Sequence, residues 1–369
     1  MKVALLTSSR ADYGIYRPLI RKLHNDSFFN CAIIVFGTHL SEAHGKTISE
    51  IIKDGYVPFE TINTIPENDS PGSIAASMGN TMLRFSEFWS EHASTFDMVF
   101  CLGDRYEMFA AVMSAVSFNV KFAHIHGGEE TAGAIDNIFR HSISHASLLH
   151  FVSLEENRKR VEELTHHPEN IYCTGALSLD NLREMQLLTK EEFRKLFHIT
   201  PDREYILITY HPETADYHNN IKNTTELINA LQHLKQHYQL IITMPNADTM
   251  GNYIREQLNI FKSSSNDVHL VENFGTQGYF SCMQYAEFLL GNSSSGIIEA
   301  ASFGRYVINI GNRQQGRIAG SNVLHCSNHT DEIIALAETI PSLPLLKKEN
   351  IYGNGNAAGK IIEILKTIK

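Results

Sequence analysis

No apolar run in this chain approaches the roughly 18 residues that a membrane-crossing helix needs, so no membrane partner is expected. Met1-Lys2 leads straight into a hydrophobic stretch without the charged, apolar and small-residue zones of a secretion signal, and a cytoplasmic location is expected. Cysteine is sparse and odd in number: there are five, with no C-x-x-C pair and no zinc-like Cys/His spacing. That argues against a disulfide framework and against a structural metal. Cys31 and Cys101 lie in or beside apolar runs, where a free thiol acts as a small hydrophobe. Positive charge is also short. The 31 Lys and Arg face 41 Asp and Glu, for a net charge of −10, so a nucleic-acid partner is not expected. An anionic ligand must then be held by local positive groups. Two glycine signatures are missing as well. The turn Ser8-Ser9-Arg10-Ala11-Asp12-Tyr13-Gly14 is not G-x-G-x-x-G, which disfavours a nicotinamide or flavin dinucleotide, and G-x-x-x-x-G-K is absent. No cofactor is expected.

What is present is a regular alternation of short apolar runs and helical patterns. At 369 residues, 43% hydrophobic and 20% charged, the chain is too long for one ordinary core and divides best into two α/β domains. In the first, strands are expected at Val3–Thr7, Ala32–Phe36, Pro58–Ile62, Met98–Leu102, Phe122–Ile125, Leu149–Val152 and Ile171–Cys173. Helices are expected after Arg10, over Ser41–Lys53, Ile74–His92 and Leu154–Leu164, with a polar loop at Pro66–Ser73. The alternation restarts at Tyr205–Thr209 and continues through Leu240–Met244, Val268–Val271, Phe280–Tyr285, Phe288–Leu290, Gly296–Ser302 and Tyr306–Ile310. Residues 1–180 form the first domain and 181–355 the second, and the terminal helix, 356–369, crosses back onto the first. Both halves read as doubly wound, Rossmann-like units facing a central cleft.

The densest chemistry lies in Cys101–His145. Two consecutive strands end in Gly103-Asp104-Arg105 and in His126-Gly127-Gly128-Glu129-Glu130, and the next helix carries Asp136, Arg140 and His141. Ligands of parallel sheets bind beyond the carboxyl ends of strands. Acids, an arginine and imidazoles gathered there suit proton transfer beside a bound anion, since burying them unpaired would be costly. Salt bridges or helix capping by Asp104 and Asp136 is the other reading. In the second half, Gly291-Asn292-Ser293-Ser294-Ser295-Gly296 joins a strand to a helix start, where backbone N–H groups and serine hydroxyls can hold phosphate. A serine that merely caps the helix is the alternative. Glu299 either favours the helix dipole or accepts from a ribose diol. His211, after one strand, and Arg313, after another, could embrace a diphosphate, with Pro245-Asn246-Ala247-Asp248 ending a third.

Taken together, Ser9–Gly14, Gly103-Asp104-Arg105, His124-Ile125-His126-Gly127-Gly128-Glu129, Ala134-Ile135-Asp136 with Arg140-His141, Tyr210-His211-Pro212, Pro245–Asp248, Asn292-Ser293-Ser294 with Glu299, and Gly311-Asn312-Arg313-Gln314 resemble the hydrolysing UDP-N-acetylglucosamine 2-epimerases of sialic and legionaminic acid biosynthesis. The resemblance runs in order from residue 1 to about residue 325. It implies a glycosyltransferase-B type fold and a nucleotide-sugar substrate, with a homodimer or homotetramer expected. Nucleotide contacts fall on Arg10, Arg105, His211, Asn246, Phe274 (through its backbone), Ser293, Ser294, Glu299 and Arg313, with Ser295 and Gly296 completing the turn. Catalytic acids fall on Asp104 and Asp136, with Arg140 nearby. Some relatives carry glutamate at the position of His126 and serine at that of Gly14. The acid/base role then passes to His126 or is shared with Glu129.

The implied reaction is UDP-GlcNAc plus water giving N-acetylmannosamine and UDP, by elimination across C1–C2 and re-addition of water with inversion at C2. A base must reach the weakly acidic C2 proton, and preorganised donors must meet the charge growing on the diphosphate. The same chemistry on UDP-2,4-diacetamido-2,4,6-trideoxyglucose or GDP-GlcNAc is the near alternative. A glycosyltransferase or a silent nucleotide-sugar sensor is the remote one.

Overall fold

The computed structural model describes residues 1–42, 45–65, 68–200, 203–245, 248–263 and 265–368. The chain forms two compact units. Unit one comprises Met1–Glu129, Asp136–Glu184 and Tyr352–Lys369, and unit two comprises Glu130–Ile135 and Met185–Ile351. No helix among the described residues is long and apolar enough to cross a membrane.

Unit one is built on a seven-stranded parallel sheet, ordered β3-β2-β1-β4-β5-β6-β7. The strands are β1 Lys2–Thr7, β2 Asn30–Phe36, β3 Glu60–Ile62, β4 Met98–Leu102, β5 Phe122–Ile125, β6 Leu149–Val152 and β7 Ile171–Cys173. β4, β5 and β6 are buried along their whole length, as strands covered on both faces must be. One face packs Val3, Leu5, Phe100 and Ile125 against the helix Arg10–Asn25 and the closing helix Ala357–Thr367. The closing helix is tied down by buried Asp180, whose two oxygens accept from the N–H groups of Ala357 (2.8 Å) and Ala358 (2.7 Å). The other face packs Leu6, Val99, Cys101 and Phe122 against the helices Pro71–His92 and Tyr106–Ala115, with Trp89, the single tryptophan, fully buried there.

Unit two carries a six-stranded parallel sheet, ordered β10-β9-β8-β11-β12-β13. Its strands are β8 Tyr205–Thr209, β9 Gln239–Thr243, β10 Val268–Val271, β11 Leu289–Gly291, β12 Val307–Ile310 and β13 Val323–Cys326. In each sheet the chain reverses its winding once, between β1 and β4 and between β8 and β11. Those reversals are where α/β sheets open a crevice.

The doubly wound α/β class read from the sequence is the class observed. Local differences have local causes. The expected helix Ser41–Lys53 is a 3-10 turn, Gly37–Leu40, followed by a short helix, Ile48–Lys53. Positive φ at Gly45 (82°) and Lys46 (44°) breaks the pattern in between, and Ala43 and His44 lie outside the described residues. Of the expected loop Pro66–Ser73, Pro66 and Glu67 also lie outside them, and the next helix begins at Pro71, not Ile74. Proline is well placed in a first helical turn, and the Ser70 hydroxyl caps the Ser73 N–H at 3.2 Å. The apolar run Phe280–Tyr285 is the end of the helix Gly275–Tyr285. β13 and the helix Thr330–Thr339 were not anticipated.

Candidate functional site

β1, β4 and β5 lie side by side, with Leu102 opposite Ile125, so the turns that follow them emerge together at one sheet edge. After β1, Ser9 and Asp12 cap each other across the start of the helix Arg10–Asn25. Asp12 Oδ2 also accepts from the Ser8 N–H (2.9 Å), the Ser8 hydroxyl (2.7 Å) and the Ser9 N–H (3.1 Å). This knot leaves Arg10 half-buried at the first helical position. After β4, Gly103 turns at φ +74°, its N–H on the Ile125 carbonyl at 3.0 Å, and Asp104 and Arg105 follow. Arg105 Nε donates to Glu107 Oε1 at 2.7 Å. Burial pushes the Glu107 carboxyl up, and the Arg105 charge opposes that shift.

Arg140, on the helix Asp136–His145, is only 1% exposed. Its Nη2 donates to Asp104 Oδ2, and its Nη1 donates to the Glu129 carbonyl (2.5 Å) and to Asn137 Oδ1 (2.8 Å). A buried guanidinium persists only when paired, so Asp104 is held as an acceptor at the strand end. Asp136 opens the same helix and is half-buried.

His126 has φ +66°, an uncommon conformation for a residue with a Cβ. Its N–H is anchored on the Phe151 carbonyl at 3.0 Å. Nδ1 lies 2.7 Å from Glu129 Oε1, and Nε2 is buried with no hydrogen-bond partner among the described residues. His124, two residues earlier, is fully buried, and that burial lowers its pKa to about 3 against the pull of its bond to Gly103. The neutral ring donates from Nε2 to the Gly103 carbonyl at 2.8 Å and accepts the Ser144 hydroxyl on Nδ1 at 3.0 Å, which fixes the Asp104 turn to β5.

The glycine pair between His126 and Glu129 lies against neighbouring protein. A side chain on Gly127 would meet His124 Nδ1 and Ser144 Oγ, both at 3.0 Å. One on Gly128, at φ +74°, would lie 2.4 Å from the Asn157 carbonyl oxygen. These glycines press the loop onto protein, and Arg160 clamps the Gly128 carbonyl from the helix Glu155–Thr165.

In unit two, β8, β11 and β12 are adjacent, and their carboxyl ends carry His211, Ser293 and Arg313. Fully buried Asn292 joins the first two turns, accepting from the His211 N–H (2.7 Å) and donating to the His211 carbonyl (2.8 Å). The Asn292 carbonyl accepts from Arg313 Nη1 (3.2 Å) and Gln314 Nε2 (3.0 Å). Glu213 binds the third turn through the Asn312 N–H at 2.9 Å. Ser293 caps the helix Ser294–Ile298, accepting from the Ser295 N–H at 3.4 Å, and the Ser295 hydroxyl lies 2.5 Å from the Tyr279 hydroxyl. Burial raises the Tyr279 phenol to about 12, so it remains a donor near neutrality.

Glu299 is at the carboxyl end of that short helix rather than in its first turn, and is 6% exposed. It also directly precedes the 3-10 turn Ala300–Phe303, so it stands between two short helical segments. Phe274 caps the helix Gly275–Tyr285, with its ring against Phe197 (centroids 4.6 Å apart) and Phe193 (6.1 Å). Asn246 lies outside the described residues. The segment Glu130–Ile135, which follows the His126 loop, is held within unit two: the Ala132 N–H donates to the Gln315 carbonyl (2.8 Å) and the Ile135 N–H to the Thr214 hydroxyl (3.1 Å).

The sequence reading gave no role to several residues that orient others, among them His124, Ser153, Asn157, Glu107, Glu213 and Tyr279. Ser153 directly follows β6 and could have been found by the strand-end rule. Tyr279 lies inside a helix and carries no local signal.

Comparison with known proteins fits this geometry. A protein of Campylobacter jejuni described as a GDP/UDP-N,N'-diacetylbacillosamine 2-epimerase (hydrolyzing) is 37% identical over 327 residues, 88% of this chain and 83% of its own. A UDP-N,N'-diacetylbacillosamine 2-epimerase (hydrolyzing) of Legionella pneumophila is 33% identical, covering 100% of this chain and 96% of its own. The crystal structure of UDP-GlcNAc 2-epimerase from Neisseria meningitidis bound to UDP-GlcNAc shares the fold at a TM-score of 0.84 and 19% identity, over 100% of both chains. The profile of one family, described as UDP-N-acetylglucosamine 2-epimerase, matches residues 21–366, and with relatives this similar the chain belongs to that family of nucleotide-sugar enzymes.

Proposed function

We propose that this protein is a hydrolysing 2-epimerase of a UDP-linked 2-acetamido sugar, UDP-GlcNAc or a close analogue, and that it releases UDP and the free manno-configured sugar. The observation that carries the reading is the pairing at two adjacent strand ends: Asp104 held by buried Arg140, beside the His126 loop whose imidazole Nε2 has no partner among the described residues. In this reading the sugar chemistry belongs to unit one. His126, Asp104 and Asp136 supply the groups that remove the C2 proton and return one from the other face, which is general acid–base work. As the C1–oxygen bond breaks, the electron pair left by the C2 proton forms the C1–C2 double bond and the diphosphate departs. Water then adds at C1 and a proton at C2. Arg10, Arg105, His211 and Arg313 are the cationic or donor groups that meet the diphosphate charge, with Ser293, Ser294, Ser295 and the Gly296 turn at the phosphates. Asn246, Phe274 and Glu299 complete the nucleotide contacts.

Within this class, the descriptions of the C. jejuni and L. pneumophila relatives support the 2,4-diacetamido-2,4,6-trideoxy analogue as substrate. The test is incubation of the protein with that nucleotide, UDP-GlcNAc and GDP-GlcNAc in turn, followed by proton NMR. Free manno-configured sugar and UDP are expected from at least one of the two UDP-linked nucleotides, and turnover of GDP-GlcNAc alone would contradict the UDP-linked reading. Release of a gluco-configured sugar, or no turnover of any, would overturn the proposal.

A further inference from the structure

Glu129 does not stand alone behind His126. Ser153, just past β6, donates its hydroxyl to Glu129 Oε1 at 2.9 Å, the same oxygen that faces His126 Nδ1. Asn157, four residues on, donates Nδ2 to Ser153 Oγ at 2.9 Å. Each member of this row is buried: Ser153 and Asn157 are 3% exposed, Glu129 4% and His126 7%. The row is also braced along its length, by Arg140 on the Glu129 carbonyl, by Arg160 on the Gly128 carbonyl and by Gly128 against Asn157.

We infer that Ser153 and Asn157 are positioning residues that fix the tautomer of His126 through Glu129, keeping Nε2 proton-free as the working face of the ring. The amide nitrogen of Asn157 can only donate, so Ser153 receives there and turns its own proton to Glu129. A carboxylate oxygen taking that proton can only accept from the imidazole, so Nδ1 carries the ring hydrogen. The opposite tautomer would set the Nδ1 lone pair against a carboxylate oxygen in a buried site, where repulsion is weakly screened. When Nε2 takes up a proton, the imidazolium then faces the Glu129 carboxylate. An aspartate at 157 would instead accept from Ser153 and draw the hydroxyl proton away from Glu129.

The inference rests on the 2-epimerase reading for its catalytic meaning, but the tautomer can be read without substrate. Histidine-labelled protein gives ring ¹⁵N shifts that separate protonated from bare nitrogens, and the His126 signals are those lost in His126→Gln. The wild type should show Nδ1 protonated and Nε2 bare, and Asn157→Asp should abolish that pattern. Ser153→Ala should lower kcat about tenfold or more with KM within twofold, since the base is misaimed and the substrate still binds. Ser153→Thr, which keeps the hydroxyl, should recover most of the rate. A wild-type spectrum with Nε2 protonated, or an unchanged kcat in Ser153→Ala, would overturn the inference. If the wild type turns over no nucleotide sugar while its spectrum and that of Asn157→Asp behave as stated, the function reading fails and the positioning role stands.

Discussion

Acid should weaken unit one through its buried histidines, and His150 allows the effect to be isolated. His150, on β6, is 4% exposed, and Nδ1 has no partner among the described residues. Burial lowers its pKa to about 4, against a hydrogen bond to the Ser147 backbone that raises it. His124 is lowered to about 3 and His39, between Thr7 and Thr47, to about 4, in both cases by burial first. The sign follows from linkage. Above pH 6.5 both folded and unfolded chains carry neutral rings. Below it the unfolded chain binds protons that the folded chain refuses, so stability is lost from pH 6.5 down to the folded pKa. At pH 5 each such ring costs about 2 kcal/mol, and the three together about 6, against a typical total of roughly 5–15. The assay is urea unfolding followed by the fluorescence of Trp89, fully buried in unit one and the only tryptophan of the chain. His150→Phe removes one titrating ring. Whatever it does at pH 7, the loss between pH 7 and 5 should shrink by about 2 kcal/mol relative to wild type. An identical loss in both proteins would refute the reasoning.

Other perturbations separate chemistry from binding. Asp104→Asn should lower kcat by about 10²-fold or more while leaving UDP affinity little changed, read by steady-state kinetics and calorimetry. Arg313→Ala should do the reverse: losing one charged donor is worth about 1.5–3 kcal/mol, or roughly 10- to 100-fold in the Kd for UDP. Gly128→Ala, whose methyl would lie 2.4 Å from the Asn157 carbonyl oxygen at a positive φ, should shift the His126 loop. Its kcat should fall at least about tenfold, with a lowered unfolding midpoint on the Trp89 signal.

The strands were legible because buried parallel strands are almost continuous apolar runs. Met98–Leu102, Phe122–Ile125 and Leu149–Val152 could be bounded from their side chains alone. Strand ends then pointed to Asp104, His126 and Ser293, since ligands of parallel sheets bind beyond the carboxyl ends of strands. Helix starts were less legible wherever a positive φ or a cap decided them, as at Gly45-Lys46 and at Ser70-Pro71. β13, with only Val323 buried, lacks the apolar signal of its neighbours.

What the sequence could not express is aim. That Arg140 reaches Asp104, 36 positions away, and that Ser153 reaches Glu129, 24 away, depends on the parallel order of β4, β5 and β6. The glycines at 127 and 128 were visible, but the protein groups they pack against were not. Their neighbours His124, Ser144 and Asn157 come from three separate elements. Glu299 was visible too, and its place between a short helix and a 3-10 turn depends on where that helix stops.

In the proposed reaction the C2 proton leaves the sugar and is replaced from solvent. The direct measurement is turnover of the accepted nucleotide sugar in deuterated water, with the free sugar observed by NMR and mass spectrometry. One deuterium is expected at C2 of the manno-configured product, incorporated in the first turnover. A product that keeps its original C2 proton would contradict it.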